Sequence, residues 1–186
     1  MKRFFLLVLI IIAVICTSCS GNVNPNSINF NQSYSFNAEL GYNDRTTSAF
    51  FTRTAPDEWS GSLNAPFSLQ GVEIAFTPQE MSISYEGFSS DLSDTPDINV
   101  TAFMLFSALE HAFKGSDVSI ASGKDWVEIT GLTNGDVYVL RLDKFGLPVT
   151  LEVPGRRFKV TFSDVTTADF PRGEPINELF EPIEFH

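Results

Sequence analysis

Few side chains in this sequence could do acid–base or covalent chemistry. Of the two histidines, His111 is internal and His186 closes the sequence. A serine–histidine–aspartate site would have to use His111. Asp91, Asp94 and Asp97 recur every third residue, and their loop oxygens could hold calcium. Pro96 intrudes, however, and the spacing and glycine of an EF-hand are missing. The 23 acidic residues offer carboxylate pairs, but nothing singles out two for general acid and base work. Zinc needs three or four His, Cys or carboxylate ligands at sensible spacing, and no such set stands out. No phosphate-cradling glycine loop is present. The expectation is a protein without catalytic residues, metal or cofactor.

The two cysteines, Cys16 and Cys19, lie close together near the start. Met1-Lys2-Arg3 is followed by an unbroken apolar run over residues 4–15. That run is short of the ~20 apolar residues of a spanning helix. A charged start, a short apolar stretch and then small residues form a secretory signal. Ile15-Cys16-Thr17-Ser18-Cys19 resembles the lipobox of bacterial lipoproteins, where small residues precede an invariant cysteine that becomes lipid-modified. Cys19 fits that place because Ser18 before it is small; Cys16 stands where Leu is usual. The resemblance implies a signal peptide at residues 1–18 and a fatty-acylated (palmitate-type) Cys19. The chain would then sit outside the cytoplasm, anchored to a bacterial membrane. Two or more acyl chains anchor stably where one is marginal. With Cys19 acylated and Cys16 cleaved away, no free thiol remains.

The elements that position the remaining residues follow from composition and period. The 186 residues carry 12 basic against 23 acidic side chains, a formal charge of −11. Phosphate backbones need clustered Lys and Arg, so nucleic acid is not an expected partner. Eighteen Phe suit either a large core or an apolar cavity. Residues 19–32 hold many Asn and few apolar residues, and read as a flexible tether. Beyond it Tyr34, Phe36, Ala38, Leu40 and Tyr42 alternate with Ser35, Asn37, Glu39 and Gly41, the period of a half-buried antiparallel strand. Asn43-Asp44 is a turn. Strands follow over residues 48–55, 59–65, 72–76 and 81–85.

Residues 87–97 form a Ser- and Asp-rich loop of the length that functional lids have. A helix is expected over about residues 98–114. Ala102, Leu105, Phe106, Leu109, Ala112 and Phe113 make its apolar arc. Ser107, Glu110, His111 and Lys114 form a narrow polar stripe expected to face solvent. Strands resume over residues 118–122, 126–130, 137–143, 149–153 and 158–164, with Asn134-Gly135 and Pro154-Gly155 at tight connections. Residues 166–186 form an acidic, Pro-broken C-terminal tail. The fold class is mainly β (α+β): a strongly curved antiparallel sheet, or half-barrel, of about ten strands with one lid helix.

This order resembles the LolA/LolB-like bacterial lipoprotein carriers over residues 33–165. The wording is closest at Gly135-Asp136-Val137-Tyr138-Val139-Leu140-Arg141-Leu142-Asp143, at Gly146-Leu147-Pro148 and at Phe158-Lys159-Val160-Thr161-Phe162-Ser163-Asp164. Phe36-Asn37-Ala38-Glu39-Leu40 is similar to their first strand. The resemblance implies an unclosed barrel with a helical lid over a hydrophobic cavity. It also implies a role in carrying lipoproteins or complex lipids, or in sensing lipoproteins.

The residues expected to line the concavity are Tyr34, Phe36, Leu40, Leu63, Phe76, Ile83, Phe106, Leu109, Phe113, Tyr138 and Leu140. Any one of them is more readily a core residue; as a set they suit either a filled core or an open cavity. An acyl chain of about fourteen methylenes would contribute ~11 kcal/mol gross in such a cavity. The expected function is a membrane-anchored, non-enzymatic lipoprotein that binds a lipid or an acylated protein. The alternative is a protein-interaction or regulatory module of the cell envelope with a filled core. A pocket of several hundred cubic ångströms separates the two.

Overall fold

The computed structural model describes residues 22–77, 80–86, 88–91 and 96–170, with the side chains of residues 87–100 outside that description. Eleven strands form one antiparallel sheet. They are β1 (Ser33–Tyr42), β2 (Arg45–Ala55), β3 (Glu58–Ala65), β4 (Glu73–Phe76), β5 (Met81–Tyr85), β6 (Phe88–Asp91), β7 (Ser119–Ser122), β8 (Trp126–Thr133), β9 (Asp136–Asp143), β10 (Pro148–Val153) and β11 (Phe158–Ala168). One helix, α1 (Pro96–Lys114), separates β6 from β7. The spatial order is β6-β5-β4-β3-β2-β1-β11-β10-β9-β8-β7. Every neighbouring pair but one is a sequence-adjacent hairpin. The exception is β1 with β11, which joins two meanders into one sheet. Neither β6 nor β7 closes onto the other, so the barrel is open.

The alternation in β1 is realised residue by residue. Tyr34, Phe36, Ala38 and Leu40 are buried, while Glu39 between them faces out. The same period buries Ala49, Phe51 and Arg53 on β2. Asn43 and Asp44 both have positive φ, 46° and 64°, which a two-residue turn matched to the strand twist requires. Asn134 and Gly135 repeat the device at 52° and 83°. The helix ends where Gly115 adopts φ 65°, a left-handed stop that glycine takes without a Cβ penalty.

The helix packs on the concave side. Phe106 lies 5.2 Å from the Phe51 ring, 5.3 Å from Trp59 and 5.4 Å from Phe76. Leu105, Phe106, Ala108 and Leu109 are fully buried. The expected half-barrel of about ten strands with one helix is what the described residues form, with eleven strands among them. Its details differ in four places. β6 falls inside the stretch read as a loop: Ser84, Tyr85 and their neighbours on β5 pair with residues 88–91. The helix begins two residues earlier than expected, at Pro96, whose missing N–H is harmless in a first turn. Residues 22–32, read as tether, lie on the domain: the Val23 N–H donates to the Gly123 carbonyl at 2.8 Å, and Val23, Ile28 and Phe30 pack against the core. At the other end β11 runs on to Ala168, past the point where the tail was expected to begin.

Candidate functional site

The open barrel has two poles. Strand directions place the β1–β2 turn, the β3–β4 loop and the β8–β9 turn at one pole. The β2–β3, β7–β8 and β9–β10 turns lie at the other, together with the end of the helix, where Lys114 pairs with Asp57 at 2.6 Å. The first pole contains a cavity of about 290 Å³. Leu40, Tyr42, Phe51, Leu63, Leu69, Ile74 and Ala102 give it mostly apolar walls, and Arg45, Thr47 and Thr101 supply the polar groups.

Of the eleven residues expected to line the concavity, Leu40 and Leu63 border this cavity. Ten of the eleven are buried and Ile83 is half-buried. Phe36 packs edge-on to Phe51 and Phe162 and tilts against Trp59. Phe76 and Phe106 face each other, Tyr34 stacks on Phe113 at 4.9 Å, and Leu109, Tyr138 and Leu140 lie in the same core cluster. Much of the concavity is therefore occupied by the helix, and the free volume lies toward its N-terminal half.

The second pole is held by a polar cluster at its centre. The Arg53 Nε donates to Glu110 Oε1 at 2.6 Å and Nη2 donates to Oε2 at 2.8 Å, with both side chains buried. Trp59 Nε1 donates to the same Oε1 at 2.7 Å. Arg53 Nη1 reaches the carbonyls of Phe30 and Gln32 at 2.8 and 3.1 Å. The guanidinium also lies over the Phe113 and Phe170 rings. Every buried polar atom described has a partner, the condition under which a buried charge pair is tolerated. Glu110 was expected on the solvent stripe. It is 3% exposed, because Arg53 and the segment around Phe30 cover that side of the helix.

His111 departs from its expected place as well. It is half-buried, and its Nδ1 shares a 2.8 Å hydrogen bond with the Tyr138 hydroxyl. Burial raises the Tyr138 hydroxyl far above its usual range. Among the described residues no three His, Cys, Asp or Glu side chains stand close enough to hold a metal. The side chains of Asp91, Asp94 and Asp97, and Cys19 with its apolar leader, lie outside the described residues. Among the described residues no helix is long and apolar enough to cross a membrane.

No family model and no curated protein matches the chain. Solved structures similar to it include an uncharacterized conserved protein from Thermus thermophilus (9% identity over 76% of this chain and 82% of that one, TM-score 0.47). A LolA superfamily protein from Nitrosomonas europaea is 12% identical over 75% of this chain and 87% of that one, TM-score 0.39. The MucA/MucB complex of Pseudomonas aeruginosa is 13% identical over 78% of this chain and 55% of that one, TM-score 0.43.

Proposed function

We propose that the chain is a non-enzymatic lipoprotein, anchored outside the cytoplasm through acylated Cys19, that binds one apolar chain of a lipid or acylated protein. The observation that carries this reading is the apolar cavity between the first four strands and the start of the helix. Its 290 Å³ lies at the lower end of ligand-pocket sizes. At the roughly 30 Å³ that a water takes in the liquid, taken as the size of a methylene, it holds about ten such groups. Their burial would supply ~8 kcal/mol gross before binding costs. Leu40 and Leu63 would touch the chain, and Arg45 suits an anionic head at the mouth. The remaining nine lining candidates would act by seating the helix.

The full burial of Leu105, Phe106 and Leu109 favours a second reading, the interaction module with a filled core. Native mass spectrometry of tagless protein extracted from membranes decides between them. A co-purified lipid in addition to the Cys19 acyl groups supports the binding reading. Only protein mass, with no exchangeable lipid after incubation with fatty acid, supports the module.

A further inference from the structure

The segment bearing Cys19 enters the fold at the pole opposite the cavity. Val23 is bonded to Gly123 in the β7–β8 turn, and the Ile28 side chain lies close over Gly146 in the β9–β10 turn. The cavity opens beside Leu40, Tyr42 and Arg45, at the far end of β1 and the start of β2. A ten-residue strand separates the poles by roughly 30 Å. Four chain steps lead from Cys19 to Val23, and they span at most ~14 Å. That reach is too short to carry the domain over.

The surface around the entry point has its own chemistry. Phe145 is 73% exposed at the tip of the β9–β10 turn, with the Lys144 ammonium 5.0 Å from its ring centre. Lys124 is exposed on the neighbouring β7–β8 turn, opposed there by Asp125. Asp143 Oδ1 accepts the N–H groups of Phe145 and Leu147, which orders the turn, and its negative charge remains beside Lys144. An aromatic tip flanked by lysines fits the headgroup layer of an anionic bilayer.

We propose that this pole, with Phe145, Lys144 and Lys124, rests on the membrane that holds the Cys19 lipid, so that the cavity mouth faces away from that membrane. The proposal rests on the acylation of Cys19. Ligand would then be exchanged with something across the aqueous space, not with the bilayer beneath.

The test uses the full acylated chain in vesicles of phosphatidylcholine and phosphatidylglycerol that carry a headgroup quencher. Ala121→Cys and Phe67→Cys place single dyes toward the two poles; both positions are exposed, neither is a proposed contact, and acylation leaves no other thiol. Quenching at position 121 severalfold above that at position 67 supports the proposal. Equal quenching, or stronger quenching at 67, overturns it and leaves acylation intact. Absence of lipid on Cys19 by mass spectrometry overturns both the proposal and the anchor. Combining Lys124→Glu with Lys144→Glu should lower quenching at 121 on the order of twofold in anionic vesicles and little in neutral ones. No change in anionic vesicles overturns the role given to the lysines.

Discussion

Arg53 and Glu110 meet in a two-bond ion pair that ties the second strand to the C-terminal part of the helix. Neither residue is exposed, and each is the other's charge partner. Glu110→Ala leaves the Arg53 guanidinium buried without its carboxylate and frees the Trp59 N–H. The expected loss is about 3–5 kcal/mol. The pair replaced together, Arg53→Met with Glu110→Leu, should recover most of it, because similar volume without charge removes the desolvation cost. Urea unfolding of the single and double variants checks this. A Glu110→Ala loss under about 1 kcal/mol would show that water reaches the pair.

Gly131 on β8 lies beneath the Tyr138 hydroxyl, and a Cβ there would collide with it. Gly131→Ala should push the phenol away from His111 and cost about 1–3 kcal/mol through overpacking. Thermal unfolding measures the cost, and the histidine ring resonances in NMR should shift. Unchanged resonances would mean that the strand moves instead of the ring.

Alkaline pH should weaken the fold. Burial raises the Tyr34 hydroxyl, against the opposing effects of the Gln32 hydrogen bond and the Arg53 charge, and burial raises Tyr138 further. Above about pH 10 the unfolded chain releases these protons while the folded chain keeps them. Stability from both groups is therefore full below pH 10 and declines as pH rises, by up to ~1.4 kcal/mol per pH unit for each tyrosine. Tyr34→Phe and Tyr138→Phe should each flatten the fall of the urea midpoint above pH 10. Parallel curves for wild type and both variants would contradict the assignment.

Ala102 faces the cavity from the helix. Ala102→Phe should fill much of the free volume. Binding of a fluorescent fatty acid is expected to drop at least tenfold, with stability within about 1–3 kcal/mol of the parent. Retained binding in the folded variant would place the ligand elsewhere.

Much of this arrangement is legible in the residue order. The period of two from Tyr34 to Leu40 fixes which side of β1 is buried, and Asn134-Gly135 marks the β8–β9 hairpin. The helix shows in the spacing of Leu105, Leu109 and Ala112. Other features depend on partners far along the chain. Glu110 reads as surface because its helix neighbours Ser107 and Lys114 are polar. It is buried because Arg53, 57 residues away, points inward. One signal did exist: Arg53 continues the inward series Ala49, Phe51, and a charge there needs an opposite charge on whatever packs above. β6 was hidden because Phe88-Ser89-Ser90-Asp91 has the composition of a loop, and pairing with β5 outweighs propensity. Free volume has no sequence signature, since Leu40 and Phe36 look alike as inward apolar residues yet only one borders the cavity.

The single long-range seam between β1 and β11 has a consequence for how the chain assembles. Nine of the ten strand pairings join neighbours in sequence, so each meander can form from short loops at small entropic cost. Pairing Ser33 with Ala168 instead encloses most of the domain, the kind of distant contact that slows folding. The order of events that follows is two local sheets first and their union last. A substitution on the seam strand, such as Val160→Ala, should then slow the joining of the halves as well as cost stability in the core.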